Sequence, residues 1–196
     1  QGQARIRSAF TQAVNHLPAG AVPPWNLVFR ASRIGPNALA LPGGTLVMTD
    51  ELVALVDGNT DVLTAVLAHE LGHLQHRHGL RMLVQVTLLG TLTSVLLGDF
   101  STVLAGGAAL VGQAHYSRNA EREADAAAVR VLRAAQISPA AMVTLFDKLA
   151  EKRSPSAAQT ANPPGGGTRE WPGIPFASKP PEAERLRVAH AVPEAR

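Results

Sequence analysis

The chain has 196 residues, 46% of them hydrophobic and 17% charged, which is enough for a single globular domain with its own core. It contains no cysteine, so disulfides, thiol catalysis and thiolate metal ligands are excluded, and any metal must be held by His and carboxylates. The net charge of +3 comes from scattered basic residues without a run of like charges, so no nucleic-acid footprint is expected.

Aromatic residues make up only 4% of the chain, which leaves Leu, Val and Ala to fill the core and favours close helix packing. The sequence begins at Gln1, with neither Met nor a signal-like apolar stretch, as expected of a processed or trimmed piece of a longer protein. Residues 4–17 place Ile6, Phe10, Val14 and Leu17 at spacings of three and four, an amphipathic helix ended by Pro18, Gly20, Pro23 and Pro24. Residues 27–30 and 38–41 read as short strands. The turn Pro42-Gly43-Gly44 leads into Thr45-Leu46-Val47-Met48-Thr49, the strongest strand pattern in the chain. A small antiparallel sheet is the natural expectation.

Asp57-Gly58-Asn59-Thr60 supplies a turn and a helix N-cap, with Asp61 at the positive end of the dipole. The helix is expected to run through Leu63, Leu67, Leu71 and Leu74 to a C-cap at Gly79. Two apolar stretches follow, 82–98 and 100–112, split by Gly98-Asp99. Each falls short of the roughly 20 residues that a membrane span needs. They predict a helical hairpin packed on the domain, the rival being a hairpin that touches a membrane surface or a partner. Residues 118–136 read as a helix, and Ser138-Pro139 opens another, to about Lys152. Residues 154–181 are rich in Pro, Gly, Ser and Ala and predict a long mobile loop; residues 182–196 predict a C-terminal helical segment on the same domain.

His69-Glu70-Leu71-Gly72-His73 lies in the middle of the helix that begins near Asp61. Residues four apart share a helix face, with Cβ atoms about 6 Å apart. Two imidazoles so placed can converge on one tetrahedral ion at roughly 2.0–2.1 Å. Glu70 is turned about 100° away, too far to be an easy third ligand. It can still act on a water at the ion, which is where a general base is useful. Gly72 would let a neighbouring element approach closely. The bland alternative is a helix with two hydrogen-bonded or surface imidazoles.

A catalytic zinc needs a third protein ligand and an open fourth position. Glu121 and Asp125 share a face of the later helix, so Glu121 can bind the ion while Asp125 accepts a hydrogen bond from the outer nitrogen of a ligand His. Glu123, about 200° round from Glu121, points elsewhere. The competing interpretation is a solvated acidic stretch paired with Arg118 and Arg122. His76 and His78 crowd the end of the metal helix, where they could line the cleft or, as a helix C-terminus favours, hydrogen-bond carbonyls there. Tyr116 is expected to pack, partly buried, against the metal helix.

The His-Glu-Leu-Gly-His motif, followed by Ser117-Arg118-x-x-Glu121-x-x-Ala124-Asp125, resembles the HtpX and CAAX-prenyl-endopeptidase family of zinc metallopeptidases. The resemblance extends to Asn37-Ala-Leu-Ala-Leu-Pro-Gly-Gly-Thr-Leu-Val-Met-Thr49 and is strongest to the periplasmic or membrane-associated bacterial branch. It implies a mainly helical α+β domain of the zincin kind over 1–153, with a small sheet beside the metal helix. It further implies one Zn²⁺ per chain on His69, His73 and Glu121, with Glu70 as base and Asp125 behind the ligands. The implied activity is endopeptidase action on extended protein or peptide substrates, recognised by strand addition, in envelope quality control. Members of the family usually carry a His-Pro pair and then Glu-Arg near the C-terminus. Here Arg185 matches, but Lys179 stands where the His would be. An ammonium can stabilise an oxyanion yet cannot ligate zinc while protonated. That substitution, with the long 154–181 stretch, keeps open a chaperone-like or scaffolding module that retains zinc and turns over little. A zinc hydrolase of a non-protein amide is a third alternative.

Overall fold

This computed structural model describes residues 1–97 and 116–153. In chain order they form α1 (Gly2–Asn15), β1 (Asn26–Arg30), β2 (Ala38–Leu41), β3 (Thr45–Thr49), α2 (Asp50–Leu55), α3 (Thr60–Gln75), α4 (His78–Leu97), α5 (Arg118–Ala134) and α6 (Ala141–Arg153). The expected loop at 154–181, the segment 182–196 and the second apolar stretch at 100–112 lie outside the described residues. What is described is the mainly helical α+β fold with a small sheet that the sequence predicts.

Helix α3 is the axis. Asn59 caps it, its side-chain oxygen accepting from Asp61 N at 3.1 Å and Val62 N at 3.2 Å. Every residue from Val62 to His73 is buried, so the helix is enclosed all round, not on one face as its apolar positions alone suggest. Around it pack α1, α5, α6 and strands β2 and β3. Helix α1 contributes Ile6, Phe10, Ala13 and Val14 to the core, and the Phe10 ring meets Trp25 edge-on at 4.8 Å.

The sheet differs from the expected one in a single pairing. Its order is β1-β3-β2, with β2 antiparallel and β1 parallel to β3. β1 and β2 run in opposite directions but do not pair, because β3 inserts between them. The central place goes to the strand with the most to bury: Leu46, Met48 and Thr49 are all buried. Gly44, at φ +96°, makes this possible at the hairpin; a Cβ there would stand 2.5 Å from the Pro24 carbonyl oxygen.

Two further local features go beyond the sequence reading. Thr49 ends β3 and caps α2, accepting from Leu52 N at 3.3 Å and from Asn37 N at 2.8 Å. The signal for α2 was available in Thr49-Asp50-Glu51, a cap followed by acidic residues. Helix α3 also does not reach Gly79. It stops at Gln75, Arg77 adopts the left-handed conformation (φ 53°), and a new helix opens at His78. The Arg77 N–H closes the old helix on Leu74 O (3.0 Å), while its carbonyl accepts from Arg81 N in the new one (2.9 Å). Along α4, Leu80, Val84 and Leu88 are exposed at spacings of four, on one face. Among the described residues no helix is long and apolar enough to cross a membrane.

Among the described residues the most extensive helix contact is that of α3 with α5. A Cβ on Gly72 would fall 2.8 Å from Ala124 Cα and 2.9 Å from Ala124 O. Both are backbone atoms that cannot rotate aside, so Gly72→Ala must push the two helices apart. Urea unfolding of Gly72→Ala should show a loss of about 1–3 kcal/mol, the usual range for an overpacked interface.

Candidate metal centre

The α3–α5 contact determines what meets at the centre of the molecule. Ser117 caps α5 through a 3.2 Å bond from Ala120 N, and one turn later Glu121 projects into α3. His69, Glu70, His73, Glu121 and Asp125 are all buried. His69 Nε2 and His73 Nε2 lie 3.0 Å apart; Glu121 Oε2 is 3.4 Å from the first and Glu121 Oε1 is 3.7 Å from the second.

These distances test whether a metal fits. Ligands at the zinc–nitrogen and zinc–oxygen distances of about 2.0–2.1 Å are separated by roughly 3.3–3.4 Å at the corners of a tetrahedron. The imidazole–imidazole separation and that from His69 Nε2 to Glu121 Oε2 fall within a few tenths of an ångström of that edge, while His73 Nε2 is met by the other carboxylate oxygen. The chemistry of the donors agrees. Asp125 Oδ1 lies 2.8 Å from His69 Nδ1, and because a carboxylate only accepts, Nδ1 carries a proton, and the neutral imidazole that a metal requires then has its lone pair at Nε2. The lone pair therefore faces His73 and Glu121, an arrangement that a cation reconciles. The three residues form one potential metal-holding group among the described residues, and His76, His78 and Glu123 form another.

Tyr116 stacks on the His73 ring, with centroids 4.1 Å apart and planes 21° from parallel, which is the packing role expected of it. Burial, then the nearby carboxylates of Glu70 and Glu121, pushes its phenol up to about 12. His78 and Glu123 depart from expectation. His78 does not bond helix carbonyls; its Nδ1 lies 3.0 Å from His73 Nδ1 and its Nε2 2.9 Å from Glu123 Oε2. Glu123 thus faces the histidines, and it is Arg122 that reaches Asn119, at 3.2 Å. Burial pushes the His76 imidazole below its ordinary value, against the opposing pull of Glu123. The signal that could have revealed His78 is the helix break at Arg77, which a periodicity scan does not register. Lys179 and Arg185 lie outside the described residues.

A His-Glu-x-x-His helix, closed by a carboxylate from a second helix in a small α+β fold, defines a peptidase domain of the metal-dependent class. The chain belongs to peptidase family M48, whose model matches residues 1–192. It is 29% identical over 174 residues to the beta-barrel assembly-enhancing protease of Escherichia coli K12, covering 82% of this chain and 30% of that protein. The Yersinia pestis protein of the same name is 29% identical over 175 residues, with the same coverage. The mitochondrial metalloendopeptidase OMA1 of Schizosaccharomyces pombe is 31% identical over 120 residues, 58% of this chain and 34% of that one. The chain thus spans about a third of the length of these relatives.

Two measurements follow from this geometry. Asp125→Ala leaves the His69 Nδ1–H unpaired, and chelator competition should find metal affinity lowered about 10–100-fold. In metal-free protein, absorbance titration of the single tyrosine should place its ionisation near 12. Since the unfolded phenol ionises near 10, the unfolded chain binds fewer protons between those values, and stability should fall as pH rises through that window.

Proposed function

We propose that the protein is a zinc-dependent endopeptidase, with one Zn²⁺ per chain held by His69, His73 and Glu121. The observation that carries this reading is the approach of two imidazole nitrogens and a carboxylate to within 3.0–3.7 Å in a buried site. A bound zinc supplies Lewis acidity toward the scissile carbonyl and the attacking water. Glu70, buried between the two imidazoles in sequence, takes the proton of that water and returns it to the leaving amine. Asp125 holds His69 in the tautomer that binds. Arg185, which matches the family pattern, and Lys179, an ammonium standing where the family carries a His, would act on the developing oxyanion.

The substrate is a protein or peptide in extended form. β2 pairs on one side only among the described strands, with β3, and packs against α3. A substrate strand added to its other side would run beside the metal helix. The name of the enterobacterial relatives supports work at a bacterial envelope, in the periplasm or at a membrane, in the quality control of its proteins. The exposed Leu80, Val84 and Leu88 of α4 offer an apolar face for a membrane surface or a partner.

Metal analysis should find about one zinc per chain. Glu70→Gln should retain that zinc and cut casein roughly 10²–10⁴-fold more slowly than wild type. Equal cleavage by the variant would remove Glu70 from the mechanism. Zinc-loaded wild type that binds unfolded clients yet never cleaves them would favour a scaffolding or chaperone-like module instead.

A further inference from the structure

His78 is a buried, titratable residue to which the chemistry above gives no task. It opens α4 immediately after the left-handed Arg77, and this break folds its ring back onto His73, with centroids 5.1 Å apart. Both of its ring nitrogens are engaged, Nδ1 with His73 Nδ1 at 3.0 Å and Nε2 with Glu123 Oε2 at 2.9 Å. The end of this row decides where the protons sit. Glu123 is a carboxylate and can only accept, so His78 Nε2 carries a proton. A neutral His78 then has its lone pair at Nδ1, and His73 must donate to it from Nδ1. A neutral His73 in turn has its lone pair at Nε2, the atom that faces His69 Nε2 and Glu121.

We propose that His78, anchored by Glu123, is the positioning residue for His73, fixing the ring orientation and tautomer in which Nε2 faces the metal. It does for the second imidazole what Asp125 does for the first, with a histidine interposed between ligand and carboxylate. The proposal rests on His69, His73 and Glu121 being the metal ligands. The hydrogen bond from His78 also holds the Glu123 carboxyl below its ordinary range, as suits the accepting end of such a row.

His76, His78 and Glu123 could alternatively hold a second cation. A cation there would take the Nε2 lone pair of His78, move its proton to Nδ1, and turn the His73 lone pair away from the first site. The two arrangements therefore exclude one another, which makes them separable. Zinc affinity by chelator competition, zinc stoichiometry, and the absorption spectrum of the cobalt-substituted protein would be measured for wild type and four variants. His78→Phe keeps a ring in the buried slot but removes the acceptor; it should weaken zinc binding about 10–100-fold and alter the cobalt spectrum. His78→Asn restores an acceptor oxygen where Nδ1 was and should recover most of that loss. Glu123→Ala, at an exposed position, should fall between the two.

Unchanged affinity in His78→Phe overturns the proposal, and so does an equal loss in His78→Asn, which would mean packing alone matters. If the metal-free His78→Phe shows no cooperative melt, Glu123→Ala decides, and wild-type affinity in that variant overturns it. One zinc per wild-type chain that is lost in His76→Ala, which leaves His69, His73, His78 and Glu121 in place, would make the His76, His78 and Glu123 cluster the cation site and overturn the proposal. Wild type that binds no zinc would remove the ligand set and the positioning role together, a result distinct from every other outcome.

Discussion

The whole site depends on how closely two helices can approach. His69 and His73 belong to α3 and Glu121 to α5, and the helices meet where Gly72 faces the backbone of Ala124. A side chain of any size at 72 would widen the gap. Even one ångström would carry Glu121 beyond bonding reach of a cation seated between the imidazoles, since metal–ligand distances tolerate only about ±0.2 Å. The small residues Ala124, Ala127 and Ala128 on the facing side, all buried, serve the same end. The low aromatic content of the chain thus becomes intelligible, because small side chains allow the backbones that carry the chemistry to come together.

The second constraint is electrostatic. Glu70, Glu121, Asp125, His69 and His73 are buried in one neighbourhood, where isolated charges are costly. Each imidazole is met on its outer side by an acceptor: a carboxylate for His69, a histidine backed by a carboxylate for His73. Tyr116 covers one face of His73 and remains a neutral phenol. The polar groups at the centre of this fold are therefore organised around one point, with their donors directed outward and their lone pairs inward.

The legible parts of this arrangement are those encoded within a single helix. His69 and His73 sit one turn apart by the geometry of the helix, and Glu121 and Asp125 repeat that spacing. The turn at 57–60 marks the start of α3, whose cap forms at Asn59 as expected, while the Ser117 cap of α5 is a finding of the structure. The parts that escaped are those set by competition between segments. β1 and β2 read equally well as neighbours, and only the greater burial available to β3 places it between them. Arg77 carries no mark of the left-handed turn it makes, since Gly79 two residues on is the more natural stop. Missing that turn, a periodicity reading sends His78 along the old helix axis and leaves Glu123 facing solvent, whereas the break brings them together.

That the donors come from two helices far apart in sequence also has a thermodynamic meaning. An unfolded chain holds the imidazole pair and the carboxylate at no fixed distance, so it can offer a cation at most a weak, partial grip. Whatever free energy is released on loading the assembled centre is then added to the cohesion of the α3–α5 pair by mass action. Under the proposed ligand set, metal supply and structural integrity become one variable for this domain: scarcity of the ion would loosen the same helix pair that the proposed catalysis needs to be tight.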